Sequence, residues 1–366
     1  MNSFDQYRRA KKIHGGRKKA DTNWKPWVFI GTLFLITAVS WFFAGPGYLS
    51  LGEATDDSVR RVERDERRRS VPDEIGFLLT ERKPHEMALV MLDVGQGDAL
   101  FIQTPDRTNI LIDSGEGQNP DYEHSPEVDA ANRVIIPFLQ RNKIEELDYF
   151  IATHPHSDHI GGAYDLLTQV PVNHVWDAGM DQPTTSYENM LNAIQQTGTE
   201  IDMPEAAGGL LQSGKEIDFG GNVKGWLLWT DPHAGDVNNS SLVLKVRYGN
   251  NSALLTGDLE GRHRFDAEAQ LISKWGDQLD VDVLKIAHHG SRNSSRQEFV
   301  DITSPEHALI PVGAYNTFGH PTDEVLSRLR EAGSQIHRTD EDGTVFMFMD
   351  GENIRTIYRR DMGAFK

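Results

Sequence analysis

Residues 147–162 read Leu-Asp-Tyr-Phe-Ile-Ala-Thr-His-Pro-His-Ser-Asp-His-Ile-Gly-Gly. An apolar run (Leu147, Tyr149, Phe150, Ile151) ends in three imidazoles and one carboxylate packed into six residues: His154, His156, Asp158 and His159. The run predicts a strand, and a strand end followed by a loop lets ligand side chains converge. Neutral imidazole nitrogens with a carboxylate oxygen suit zinc or manganese. An Asp one residue before the last His gives that pair a second direction to point in, so the spacing suits two metal ions better than one. A merely polar loop would have no packing use for Thr-His-Pro-His followed by Ile-Gly-Gly.

Two further apolar runs end the same way. Leu254-Leu255-Thr256-Gly257-Asp258 places a carboxylate just past a strand. Val283-Leu284-Lys285-Ile286-Ala287-His288-His289-Gly290-Ser291 places two imidazoles past another. A single Asp after a strand is ordinarily a turn or capping residue, and a single His an ordinary core or surface side chain. Three separate strands that each stop at metal-competent groups point to one shared centre.

The chain has 366 residues, enough for one large α/β domain with accessory segments. It contains no cysteine, so four-cysteine zinc sites and disulfide frameworks are excluded, and a metal must be held by His, Asp, Glu or Asn. Net charge is −18. Residues 1–26 carry eight Lys/Arg against Asp5 and Asp21, a net +6 that leaves −24 on the remainder. That surface repels polyanions on average, so nonspecific nucleic-acid binding is disfavoured unless a local patch or the metals supply attraction.

Residues 27–44 read WVFIGTLFLITAVSWFFA without a charge, and Gly45-Pro46-Gly47 follows. Eighteen residues at about 1.5 Å each span roughly 27 Å, close to a bilayer's hydrocarbon core. Trp24, Trp27 and Trp41 to Phe43 stand near its ends, as interfacial aromatics do. A buried core helix is rarely apolar all round beside a charged arm, and no small-x-small cleavage site follows. The expectation is a basic cytoplasmic arm over 1–26, a single transmembrane anchor over 27–45, a charged tether over 46–85 and a hydrolase domain over 86–360. The positive flank places the N-terminus in the cytoplasm and the large domain outside the cytoplasmic membrane.

From Glu86 onward, short β-like runs alternate with helical ones. Strands are expected at Met87–Leu92, Ala99–Gln103, Asn109–Ile112, Asp148–Thr153, Val223–Trp229, Ser241–Tyr248, Ser252–Thr256, Val281–Ala287, His307–Pro311, Ser334–His337 and Thr344–Met349. Helices are expected at Val128–Asn142, Gly162–Thr168, Ser186–Thr197, Asp266–Trp275 and Asp323–Glu331. Helices fall between groups of strands, which fits two sheets covered by helices.

Taken in order, Asp93-Val94-Gly95-Gln96-Gly97-Asp98-Ala99, Leu111–Gly115, His154–Gly162, Asn238–Leu244, Leu254–Asp258, Leu284–Ser291 and Asn316–Pro321 resemble the metallo-β-lactamase fold, and specifically the soluble domain of the ComEC competence family. The resemblance covers roughly residues 86–350. It implies an α/β fold of the αβ/βα four-layer sandwich type, here preceded by one transmembrane helix in place of the family's multi-spanning transport domain. It implies the hydrolase and not DNA uptake. It also implies two divalent metal ions, zinc or manganese: His154 and His156 on the first, Asp158, His159 and His289 on the second, Asp258 bridging both. His288 would contact the substrate phosphate, although the two adjacent histidines could exchange roles. His320, in Gly319-His320-Pro321, would line the site toward a leaving group, with a simple turn histidine as the alternative. Asp158 would orient the attacking water and shuttle a proton. The wider superfamily supplies a third His to the first metal. Here only His174 and His233 lie in the interval, one in an apolar run and one in a loop, and Asn238-Asn239-Ser240-Ser241 takes that region. The first metal therefore has fewer protein ligands. Gln96 and Asp98 are expected as hydrogen-bond partners of the ligand imidazoles, and strand alternation is expected to bury Lys285 or tilt it away.

The function expected is metal-assisted hydrolysis of a phosphodiester, with DNA or a smaller phosphodiester as substrate. Two alternatives stand beside it. One is hydrolysis of a carbonyl substrate such as a lactone, amide, β-lactam or thioester, and the other is a tethered metal-binding partner module without turnover.

Overall fold

A computed structural model describes residues 79–117, 129–180, 182–261 and 266–358. The basic arm, the expected anchor at 27–45 and nearly all of the tether lie outside these residues. Among the described residues no helix is long and apolar enough to cross a membrane.

Among the described residues fifteen strands form two sheets. The first has the order β15-β14-β1-β2-β3-β4-β5-β6 and the second β13-β12-β11-β10-β9-β8-β7. In the first, β1 is Met87–Met91, β2 Leu100–Gln103, β3 Asn109–Ile112, β4 Leu147–Ala152, β5 Val172–Asp177, β6 Glu200–Asp202, β14 Val345–Met349 and β15 Ile354–Tyr358. In the second, β7 is Glu216–Gly220, β8 Val223–Trp229, β9 Val243–Tyr248, β10 Asn251–Leu255, β11 Val283–Lys285, β12 His307–Ile310 and β13 Gln335–Arg338. Strands β3 to β6 pair in parallel, and so do β10 to β13. Parallel strands require crossovers, and the helices supply them.

Alternation shows how the layers form. Strand β1 is buried at all five positions. Met87, Leu89 and Met91 turn toward a core shared by the two sheets, where they meet Leu244, Leu255, Val283 and Leu309. Ala88 and Val90 turn the other way, toward Phe138, Leu166 and Ile194. Strand β10 splits likewise: Ala253 and Leu255 enter the shared core, while Leu254 packs with Leu271, Val300 and Val325. Three apolar cores therefore separate four layers, helix, sheet, sheet and helix, which is the sandwich expected from element order.

The differences from expectation are local. Strand β11 covers only Val283–Lys285 of the expected Val281–Ala287, and the chain enters a turn at Ala287–Gly290. The expected helix at Val128–Asn142 begins as a π-turn over Ala131–Ile135 and becomes α-helical over Ile136–Arg141, with Pro137 inside its first turn. Strands β5, β6, β7 and β15 and the helix Gln297–Thr303 were not anticipated.

Candidate metal centre

The singled-out strands end on one edge of the sandwich. The chain leaves β4 into Thr153-His154, β10 into Thr256-Gly257-Asp258 and β11 into the turn that carries His288 and His289. In that turn both histidines adopt left-handed backbone, φ 49° and 52°. This costs each residue about 1–2 kcal/mol. It is the kind of strain found where side-chain direction matters more than local comfort. The turn sends His289 inward, where it is 1% exposed, and leaves His288 at the rim.

Two groups of side chains result. Asp158, His159, Asp258 and His289 each offer a ligand atom within 4.8 Å of the others, and His154, His156 and Asp258 do the same. Asp258 belongs to both. Its Oδ2 lies 3.2 Å from His159 Nε2, 3.6 Å from His289 Nε2 and 3.9 Å from His154 Nε2. His289 Nε2 is 3.2 Å from Asp158 Oδ2, and His154 Nε2 is 3.0 Å from His156 Nδ1. The six residues expected as ligands are therefore together, grouped as the resemblance implies.

The tautomers follow from what lies behind each ring. His159 Nδ1 donates to Asp113 Oδ2 at 2.7 Å, which frees Nε2 to face Asp258. His289 Nδ1 donates to the Pro311 carbonyl at 2.8 Å, which likewise frees Nε2. A carboxylate or carbonyl behind a ligand imidazole fixes its orientation and raises its basicity. Asp113 in turn accepts from Thr153 N and Thr153 Oγ1 at 2.8 and 2.7 Å. Among the described residues His159 Nε2 is buried without a hydrogen-bond partner. A buried lone pair aimed at a cluster of carboxylates is costly unless a cation occupies the space between. The donor set of four imidazoles and two carboxylates thus fits divalent ions.

Electrostatics agree. Burial and the neighbouring His159 push His154 well below the usual histidine range, so it stays neutral as a ligand must. Burial also acts to lower His289, but the Asp258, Asp158 and Asp98 carboxylates outweigh it and raise the imidazole to about 10. In both groups the carboxylates demand positive charge.

Lys285 corrects one expectation. It is fully buried, as alternation predicts, but it points toward the centre and not away. Two residues beyond Val283, it shares that residue's face between the sheets. Its ammonium lies 2.5 Å from Asp98 Oδ2 and 3.5 Å from Asp258 Oδ1, and donates to the Gly257 carbonyl at 2.6 Å. Asp98, Asp113 and His159 form a third acidic group. There Lys285 already supplies the cation and His159 the proton, so that group braces the centre from behind. Holding Asp258 by Oδ1, Lys285 leaves Oδ2 for both ligand groups.

The rim is built from groups the sequence only partly revealed. His288 Nδ1 lies 2.8 Å from Glu260 Oε1, and its Nε2 is 3.8 Å from Asp258 Oδ2. His320 packs edge-on against His288, ring centres 5.5 Å apart, and lies in neither ligand group. Burial and the His288 imidazole press His320 down to about 4. The Asn238–Ser241 stretch reaches the centre: Ser241 Oγ is 3.4 Å from His154 Nδ1 and accepts from Asp258 N at 3.0 Å. Asn238 Nδ2 donates to Glu260 Oε1 at 3.2 Å. Gln96 accepts from Gly313 N at 3.2 Å and so supports the rim loop, not a ligand imidazole. His174 sits on β5, pairs with Glu200 at 3.3 Å and stacks on Tyr149, while His233 is exposed in a loop. Neither joins the centre.

A metal-competent cluster at the strand ends of an αβ/βα sandwich defines a class. Residues 92–314 match the family model described as the metallo-beta-lactamase superfamily. The chain belongs to the metallo-β-lactamase superfamily, and its fold and ligand groups are those of a metal-dependent hydrolase. Within that class it is 34% identical over 260 residues to ComE operon protein 3 of Bacillus subtilis (strain 168), covering 70% of this chain and 32% of that protein. It is 30% identical over 261 residues to Competence protein ComA of Neisseria gonorrhoeae, covering 71% of this chain and 32% of that one. The chain thus spans about a third of the length of these relatives.

Proposed function

We propose that the chain is a membrane-anchored phosphodiesterase or nuclease that holds two divalent ions, zinc or manganese, joined through Asp258. The observation that carries this reading is the meeting of both ligand groups on one carboxylate oxygen, Asp258 Oδ2. When bound, such ions acidify water and polarise the scissile phosphoryl oxygen. The chain's own residues do the rest. Asp158 is the most exposed carboxylate of the set, at 25%, which suits it to orient water and accept its proton. His288, at the rim and braced by Glu260, faces an entering phosphate. Lys285 and Asp113 hold Asp258 and His159 in place. Support for a phosphodiester comes from the resemblance to the ComEC competence family and from the relative named Competence protein ComA. Support for the anchor comes from the uncharged run 27–44 and the basic arm before it; by the positive-inside rule the hydrolase domain would lie outside the cytoplasm.

The test uses the full chain with bis-p-nitrophenyl phosphate and with single-stranded DNA, each with added manganese or zinc. Metal-dependent hydrolysis is expected, falling at least about a hundredfold in Asp258→Ala. Hydrolysis retained in that variant would overturn the mechanism. Cleavage of a lactone or β-lactam with both phosphodiesters untouched would select the carbonyl reading.

A further inference from the structure

Large exposed apolar side chains are few among the described residues, and two of them, Tyr315 at 76% and Phe318 at 68%, share one loop at the rim of the centre. The loop leaves β12 and ends at His320. It is held from within: Asn316 Nδ2 donates to the Gly313 and His320 carbonyls at 2.9 and 2.7 Å, and Asn316 Oδ1 accepts from His320 N at 3.0 Å. Its base is tied down by Gly313 N to Gln96 Oε1 at 3.2 Å and by Val312 N to Thr339 Oγ1 at 2.7 Å. The aromatic faces are therefore presented by an ordered scaffold.

They also connect to the chemistry. The Phe318 ring lies parallel to His320, centres 5.9 Å apart and planes 26° from coplanar. His320 packs on His288, whose Nε2 is 3.8 Å from Asp258 Oδ2. Phe318 is thus two ring contacts from the rim histidine. The exposed Arg292 lies close enough to act on His320 electrostatically. Flat faces that stand out from a fixed loop, leading into a phosphoryl-binding centre, match what an unpaired base and its phosphate require.

We propose that Phe318 and Tyr315 form a base-stacking platform that seats an unpaired nucleobase next to the scissile phosphodiester, so that the site selects single-stranded or end nucleotides over duplex. In a duplex the bases stack on one another and their faces are covered. A platform also reconciles the net −24 of the chain beyond residue 26 with a polyanionic substrate, because stacking supplies affinity that long-range charge does not.

This inference rests on the phosphodiesterase reading, and the two are separable. Binding of a fluorescent single-stranded oligonucleotide and of its abasic counterpart to the full chain is read by anisotropy in EDTA, where hydrolysis is absent. The base-bearing strand is expected to bind about tenfold or more tighter. That ratio should fall toward one in Phe318→Leu, which keeps apolar bulk but loses the flat face, and should survive in Phe318→Trp. Phe318 is exposed, so the substitutions spare the core. Equal affinity for the two strands in the unaltered chain overturns the platform, even where metal-dependent phosphodiester hydrolysis is found. A base preference that vanishes in Phe318→Leu supports the platform, even where hydrolysis is absent and the phosphodiesterase reading falls. If Phe318→Leu weakens sedimentation with anionic vesicles and spares oligonucleotide binding, the surface is a lipid contact and the platform is overturned.

Discussion

His159 faces Asp258 because Asp113 stands behind it. The carboxylate accepts a hydrogen bond from Nδ1–H at 2.7 Å and fixes the ring so that Nε2 faces Asp258. Asp113→Asn keeps the shape but can present its amide hydrogens to the ring, which reverses the tautomer. Metal affinity is expected to fall about 10–100-fold, read by competition with a chelating indicator. Unchanged affinity would show that Asp113 serves the fold alone. The sequence marks the six candidate ligands well, because each follows an apolar run and none has another packing purpose. It marks the supporting residues poorly. Asp113 is a single Asp after a strand, Glu260 one acid among many, and Lys285 is assigned to a face only once the strand's two sides are known. Alternation says that Lys285 is buried; three-dimensional pairing is needed to say against what.

Among the elements, two turns set the geometry. Gly97 has φ 119°, and a Cβ there would stand 2.1 Å from the Asp158 carbonyl, which accepts from Asp98 N. The glycine lets the β1–β2 connection lie directly on the His154–His159 loop. The second turn, after His289, is stapled by Glu268 on the helix Ala267–Trp275. This buried carboxylate accepts from Ser295 N, from Arg296 N at 3.1 Å and from Arg296 Nε at 3.3 Å. Desolvation nonetheless raises it to about 7 from the ordinary 4.5. Between those values the folded chain holds a proton that the unfolded chain has lost. Stability is therefore fully present below the unfolded value and falls as pH rises toward 7, by at most about 1.4 kcal/mol per pH unit for this group. Urea unfolding of the chain in EDTA between pH 4.5 and 8 should show this component, and Glu268→Gln should remove it. An identical pH profile in the variant would refute the assignment. The elements missed in the sequence share a cause. Strand β5 (Val-Asn-His-Val-Trp-Asp) is interrupted by the polar pair Asn173, exposed, and His174, half-buried, β7 is half-exposed, and β15 is intermediate in burial throughout. These are peripheral strands whose pairing, not their composition, makes them strands.

At the scale of the molecule, three apolar cores hold four layers in register, and that register brings strands from both sheets to a common edge. The layer order was legible because fully buried strands flanked by amphipathic helices have few other solutions. The meeting of His289, after β11, with Asp158 from the opposite sheet was not, because the two stand 131 residues apart in the chain. In the proposed centre one carboxylate, Asp258, would join two metal ions. Metal content per chain decides it most directly, measured after equilibrium titration of the full protein with manganese and with zinc, alongside Asp258→Ala. Two ions per chain, falling to one or none in the variant, is the predicted result. A single ion in the unaltered chain, or two that survive the loss of Asp258, would contradict it.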